Sequence, residues 1–506
     1  MASAYKETAP ATSLFTGADG NLPYMHLPEA TLTFSRPLGS SELGWLHTVT
    51  DDAVVQACAA LRLRHPLLVS KVAFHTTAPP SVVYASPLTR AHALREATAQ
   101  IEFHTFHDQD ATTEALRDRW LSPTPEDALD MRNGTCSLYW ARDVDPRSGK
   151  YILGFMMPHF ITDGRRRLNL VRCMLDLLPG RAQRELAAHF AGEVPVVEIP
   201  PALDSLLPDM GNTEPAELAK AKTAFDELVQ YRSKPTSGLV PDGVISEDNL
   251  HPRVVRQTWS AEETKYILKA CKAHSVTITH LANVASAFAC LQRPGAAQVN
   301  GFSSGEDAYY FELCQALDIN AKLPQVSRNG ETETAVRIVT YPVLLSVPCT
   351  AAVESAGTIA IWDAARQFKE RHDAYVNSPY FWHFTRFYRA IAVENYMTQR
   401  AGKTFMPYMS SMGDLKGILP TRYSVEASHA GVNEAGSHSA EIRVLDSIAA
   451  EKVDPQVASF LLYTFDDRLN LQFKWNAGRT SDNLINGWFG RVVEIILQAA
   501  GDEGPM

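Results

Sequence analysis

Between Glu193 and Arg253 the regular spacing of apolar residues stops. Pro195, Pro200, Pro201 and Pro208 interrupt it, a helical stretch intervenes at Pro215–Arg232, and Pro235, Gly238, Pro241 and Gly243 interrupt it again. Proline and glycine at that density punctuate a chain. The chain has 506 residues, too many for one core, because single hydrophobic cores stop growing at about 250–300 residues. The break therefore predicts two core-bearing blocks, 1–192 and 256–506, joined by a connection at 193–255. Apolar residues make up 45% and charged residues 21%, enough to fill both cores.

Each block reads as a mixture of strands and helices, an α/β (α+β) fold with mixed sheets. In the first, Leu32 and Phe34 read as a short strand entering a turn at Pro37-Leu38-Gly39. Thr50 caps a helix carrying Val54, Val55, Cys58 and Leu61, which ends near Arg64-His65-Pro66 because proline disfavours helix at the residue before it. Val82–Ala85 and Ile101–Phe106 read as strands. Ser137–Trp140 and Tyr151–Met157 form a hairpin across Asp145-Pro146-Arg147-Ser148-Gly149. Leu168, Val171, Leu175 and Leu178 then repeat at helical spacing until Pro179-Gly180, with Asp163 placed to cap the helix.

The second block opens on a capping box, Ser260-Ala261-Glu262-Glu263, followed by Ile267, Leu268 and Cys271. A second helix starts near Thr277–Thr279 and carries Leu281, Val284, Ala285 and Phe288. Tyr341–Val347 reads as a buried strand, Gly357–Tyr375 and Tyr380–Arg400 as long helices, and Ala427–His438 as a loop. Phe460–Phe465 and Leu469–Trp475 pair across Asp466-Asp467. Leu484, Ile485, Trp488, Val492 and Ile496 line one face of a last helix. The blocks share a plan without sharing a short repeat, so any duplication is structural only.

The net charge of −10, with both signs mixed along the chain, offers no basic stripe for nucleic acid. Seven scattered cysteines without a CxxC predict buried free thiols, with neither a disulfide framework nor a structural zinc. The first 28 residues show no basic start with an apolar core, the tail shows no lipidation motif, and no run reaches the apolar length of a membrane span. A cytoplasmic protein is expected.

Chemistry concentrates at Met157-Pro158-His159-Phe160-Ile161-Thr162-Asp163-Gly164. A strand ends, a histidine follows, and Asp-Gly opens a helix. A histidine on such a turn titrates near neutrality and can take a hydroxyl proton; a carboxylate four residues on can restrain the local backbone. His-x-x-x-Asp also suits two metal ligands on a helical turn, but no third ligand is evident. Arg165-Arg166-Arg167 suits the phosphates of a ligand or, as the plainer reading, a solvated helix face. His104, His107, Asp108 and Asp110 read as a polar loop after a strand rather than a metal site. His383 and His429 lack sequence partners. Tyr380, Phe381, Trp382, Phe384 and Phe387 suit core packing more than an acceptor pocket.

The His-x-x-x-Asp-Gly segment after a strand resembles the chloramphenicol-acetyltransferase and condensation-domain-like acyltransferase superfamily. Ala60-Leu61-Arg62-Leu63-Arg64-His65-Pro66-Leu67-Leu68 is similar to that superfamily's early helix and its exit. Trp259–Leu291 resembles the helix pair opening its second half, Gln315–Pro324 its Asp-x-Arg…Leu-Pro stretch, and the terminal strand and helix match too. Ser410-Ser411-Met412-Gly413-Asp414-Leu415 stands where relatives place a strand beside the active site. Within the superfamily the chain is most similar to the fungal acetyltransferases of secondary metabolism, the trichothecene 15-O-acetyltransferases in particular.

The resemblance implies two chloramphenicol-acetyltransferase-like halves in a V with a tunnel between them. It implies acetyl-CoA as cosubstrate with no bound cofactor or metal, a small-molecule alcohol as acceptor, and a monomer. His159 would be the general base in a direct transfer without an acyl-enzyme. Asp163 would be structural, holding the loop through an ion pair, and Gly164 would permit a tight turn. Ser410, Ser411 and Gly413 would supply the oxyanion-side strand. Three departures stand out. Pro158 replaces the first of two adjacent histidines found in peptide-forming condensation domains. Asn320 stands where relatives often carry the arginine partner of the aspartate. The Asp-Phe-Gly-Trp-Gly motif of plant relatives is absent. A carrier-protein thioester donor, and a non-transferase role such as cyclisation or scaffolding, are the alternatives.

Overall fold

The structure, a computed structural model, describes residues 6–7, 28–35, 49–75, 81–121, 129–178, 180–201, 203–208, 214–234, 237–243, 251–291, 308–323, 335–349, 358–388, 404–425, 440–451 and 457–501. In chain order the elements begin β1 (Lys6–Glu7), β2 (Pro28–Ser35), α1 (Asp51–Arg64), β3 (Lys71–Ala73), β4 (Ser81–Tyr84), α2 (Arg90–Gln100), β5 (Ile101–Phe106), α3 (Gln109–Leu121), β6 (Ser137–Asp143), β7 (Tyr151–Met156), α4 (Gly164–Leu177), α5 (Arg181–Phe190), α6 (Leu203–Leu206) and α7 (Pro215–Arg232). They continue with β8 (Pro252–Thr258), α8 (Ala261–Ala273), α9 (Ile278–Leu291), β9 (Ala308–Asp318), β10 (Ile338–Pro348), a helix Thr358–Val376, β11 (Tyr408–Asp414), β12 (Arg422–Val425), β13 (Ala440–Glu451), β14 (Ser459–Phe465), β15 (Arg468–Asn476) and a last helix Asp482–Gly501.

Contacts divide the chain into two units, Met1–Leu206 with Gln325–Arg337 and Asp414–Lys452, and Leu207–Pro324 with Ile338–Gly413 and Val453–Met506. This differs from the linear division into 1–192, 193–255 and 256–506, and the reason is strand pairing. β13 hydrogen-bonds antiparallel to β2, with Glu451 opposite Pro28 and Ala450 opposite Glu29, and β12 pairs with β13. Two late strands therefore complete an early sheet, of order β12-β13-β2-β7-β6-β5. β2, expected as a short strand, is eight residues long and sits inside this sheet. All its neighbours are antiparallel except β5 and β6, which run parallel across α3.

In the first unit, Thr50 Oγ1 accepts the Ala53 N–H at 3.1 Å to start α1, with Asp51 and Asp52 in the first turn and Arg62 and Arg64 in the last. Those signs match the helix dipole at each end. Asp108, expected in a loop, instead starts α3, its Oδ1 accepting the Ala111 N–H at 2.9 Å. α3 brings Leu116 and Trp120 onto Phe106, Tyr139, Ala141, Ile152 and Met156. Trp120 fits because Gly154 faces it: a Cβ there would lie 2.6 Å from the indole Cη2.

The second unit holds a sheet of order β10-β9-β11-β14-β15-β8, in which β9 and β11 run parallel. Among the described residues each unit thus carries a six-stranded sheet that includes a parallel pair, and the first unit also holds a three-stranded sheet of order β1-β4-β3. The capping box forms as expected: Ser260 Oγ accepts from Glu263 N at 3.2 Å and Ser260 N donates to Glu263 Oε2 at 2.8 Å. Asp466 and Asp467 both take positive φ, 49° and 59°, the two-residue turn whose twist suits a hairpin. Ile485, Trp488, Val492 and Ile496 of the last helix are fully buried. Residues 381–388 are helical, with Phe381 tilted against Tyr375 and Phe384 edge-on to it, both buried, so core packing is the role of these two. The rest of the expected helix to Arg400, the Ala427–His438 loop and His429 lie outside the described residues.

Candidate active site

β7 stops because Pro158 has no N–H to give to the ladder. Pro158 instead offers its carbonyl to the Ile161 N–H at 3.2 Å, closing a turn over His159 and Phe160. His159 is thereby held on the turn, partly exposed, between the buried Met157 and Ile161. α4 begins three residues after that turn. Its apolar face, Leu168, Val171, Leu175 and Leu178, is buried, anchoring the segment that carries the histidine.

Asp163 is the N-cap of α4 and is 1% exposed. Its Oδ1 accepts the Arg166 backbone N–H at 3.1 Å. Its Oδ2 accepts Arg166 Nη1 at 2.7 Å and the Arg337 backbone N–H at 2.8 Å. One carboxylate thus ties the turn, the first helical turn and the segment 335–337 together. Its cation is Arg166, one turn along the same helix; Asn320 lies elsewhere, its N–H bonded to Asp318 Oδ1 at 2.9 Å. Neither Arg166 nor Arg167 is on a solvated face, since each is only 2% exposed. Gly164 is the first residue of α4, so the tight turn lies upstream of it, at residues 158–161.

Burial pushes the His159 imidazole below its ordinary pKa. Glu451 opposes this most among the charges, then Asp163, and a hydrogen bond to the residue's own backbone does so as well; Arg167 adds to the lowering. The ring is therefore neutral at pH 7. A ring N–H spent on a backbone carbonyl leaves the other nitrogen as the acceptor. A neutral, oriented, partly accessible imidazole can take a proton from an approaching hydroxyl.

Ser410, Ser411 and Gly413 lie on β11, in the second unit. Ser411 Oγ hydrogen-bonds Thr279 Oγ1 at 2.7 Å. Gly413 has φ +71°, a conformation that favours glycine. His104 is on β5, stacked on Tyr139 with ring centroids 4.8 Å apart, and His383 is buried. The described cysteines are free thiols, most of them buried. Among the described residues no group of three or more His, Cys, Asp or Glu could hold a metal, and no helix is long and apolar enough to cross a membrane. Reading the sequence missed two groups of this site, Glu451 and Arg337. It also missed Arg166 as the ion-pair partner, although its i,i+3 spacing from Asp163 is a signal for one.

No family model and no curated protein matches the sequence. Solved structures do match. The trichothecene 15-O-acetyltransferase of Fusarium sporotrichioides superposes with a TM-score of 0.71 at 16% identity, over 94% of this chain and 92% of that one. The SgcC5 protein of Streptomyces globisporus gives 0.59 at 13%, over 97% and 96%. The first condensation domain of the calcium-dependent antibiotic synthetase gives 0.57 at 12%, over 94% and 91%. At these identities it is the fold that is shared. The chain has the mixed α/β fold of chloramphenicol-acetyltransferase-like and condensation-domain-like proteins.

Proposed function

We propose that the chain is an O-acyltransferase in which His159 is the general base. The observation that carries this is the state of the histidine. It is neutral, partly accessible and held on a turn, while the neighbouring Asp163 is engaged by Arg166 and Arg337 and so serves the backbone. The likeness to a trichothecene 15-O-acetyltransferase supports acetyl-CoA as donor and a hydroxylated secondary metabolite as acceptor, with the 15-hydroxyl of a trichothecene-type sesquiterpenoid first to be tried.

In this reading His159 takes the acceptor's hydroxyl proton as the oxygen attacks the thioester carbonyl. The tetrahedral intermediate collapses, the C–S bond breaks, and the imidazolium returns its proton to the departing thiolate. Acetyl leaves CoA and enters the ester directly, so no acyl-enzyme forms. Oxyanion donors are each worth about 3–4 kcal/mol in other acyl transfers; Ser410, Ser411 and the backbone at Gly413 are our proposed source. The enzyme works as a cytoplasmic monomer. The likeness to a condensation domain favours a second reading, in which the thioester arrives on a carrier protein. Pro158 in place of a second histidine weighs toward the free donor.

The test is acceptor-dependent release of free CoA from acetyl-CoA, with product mass, over a panel of hydroxylated sesquiterpenoids and polyketides. His159→Ala should lower turnover by about 10²–10⁴-fold with an unchanged circular dichroism spectrum. Undiminished turnover in that variant would sink the mechanism. Consumption of carrier-bound but not free thioester would select the second reading.

A further inference from the structure

Asp163 is committed to Arg166 and Arg337 and the His159 ring is oriented by its own backbone, so the imidazolium formed in transfer draws on another carboxylate. The sheet offers one. Met156, the last residue of β7, lies opposite Glu29 of β2, and Glu29 lies opposite Ala450 of β13. One step further toward the His159 turn, Pro28 lies opposite Glu451. β13 therefore ends on a carboxylate in the row just past the end of β7, two strands or about 10 Å across, at the same sheet end from which the turn springs.

We propose that Glu451 acts through His159, its carboxylate stabilising the imidazolium formed during transfer. This rests on His159 as the base. Independently of the register, Glu451 is the largest charge favouring protonation of that ring. The charged groups acting on the ring come from two elements, Glu451 from β13 and Asp163 with Arg167 from α4. Of these, Asp163 already faces the guanidinium of Arg166.

The experiment titrates His159 by NMR in ring-labelled protein, without substrate, in wild type, Glu451→Gln, Glu451→Asp and Glu29→Gln. Removing a nearby negative charge destabilises the imidazolium, so Glu451→Gln should lower the His159 pKa by about one unit. The acidic limb of the kcat/KM profile should move down by the same amount. The kcat should fall about three- to tenfold, as a weaker base predicts, with KM within about twofold. Glu451→Asp should recover most of the shift. Glu29→Gln, one row back in the register, should leave the titration in place. An unmoved titration in Glu451→Gln, or an equal shift in Glu29→Gln, overturns the proposal even where His159→Ala is inactive. A shifted titration beside an undiminished His159→Ala supports the pairing and instead overturns the base reading on which its catalytic role rests.

Discussion

Asp163→Ala should be the most damaging single change in the first unit, and its cost can be assembled from its three bonds. Loss of the N-cap costs about 1 kcal/mol. Arg166 is 2% exposed and would lose the carboxylate to which its Nη1 donates, and breaking a buried pair costs about 3–5 kcal/mol. The Arg337 N–H loses its acceptor too, although relaxation makes the terms overlap. A total of about 4–6 kcal/mol is expected for Asp163→Ala, and about 3 kcal/mol for Arg166→Met, which strands the carboxylate. The double variant removes both charges together and should cost only about 2–3 kcal/mol, because replacing a whole buried pair by apolar groups is far cheaper than halving it. The coupling is then about 4–6 kcal/mol. Hydrogen exchange at the first-turn amides of α4 reads this locally, so the stability of the second unit does not enter. Additive single variants, or an Asp163→Ala cost under about 1 kcal/mol, would refute the claim that this carboxylate and guanidinium are one structural unit.

His65 is buried, its Nε2 has no hydrogen-bond partner among the described residues, and burial pushes its pKa down to about 3. Its folded pKa lies below the unfolded value near 6.5, so the unfolded chain takes up the proton first and stability falls as pH drops below about 6.5. His65→Leu should flatten that slope by about 1.4 kcal/mol per pH unit down to about pH 3, measured by urea unfolding at several pH values; an unchanged slope would refute it. Gly154→Ala should destabilise by about 1–3 kcal/mol, because the new methyl meets Trp120 Cη2 at 2.6 Å; a melting temperature equal to wild type would count against it. Ser260→Ala should cost about 1 kcal/mol through loss of the α8 cap, read by thermal unfolding.

Local chemistry made much of this legible from residues alone. Thr50, Asp163 and Ser260 with Glu263 start their helices as their side chains predict, and Asp466-Asp467 turns the β14–β15 hairpin. Long-range pairing was not legible. The alternation of β13 slips between Val444 and Asp446, where the register shifts. Burial moves from Ile442 and Val444 to Ser447 and Ala449, and the period-2 signal is lost with it. Polar runs misled for another reason. Asp108 reads as loop yet caps α3, and Arg166 reads as solvent-facing yet pairs inside the fold. In both, the side chain spends its polarity on a helix end, which composition does not reveal. β13 is joined to β7 through β2 by pairings that no short window contains.

The return of β13 to the first sheet also sets a timetable for the newborn chain. During synthesis β2 has β7 on one side and nothing on the other until residues 440–451 emerge. An early domain would ordinarily fold while the ribosome is still working. Here its sheet waits with an open edge, a hazard for mispairing, until residues 440–451 have been made. A product cut short before residue 440 would carry His159 without Glu451, so the completed sheet certifies that synthesis passed residue 451.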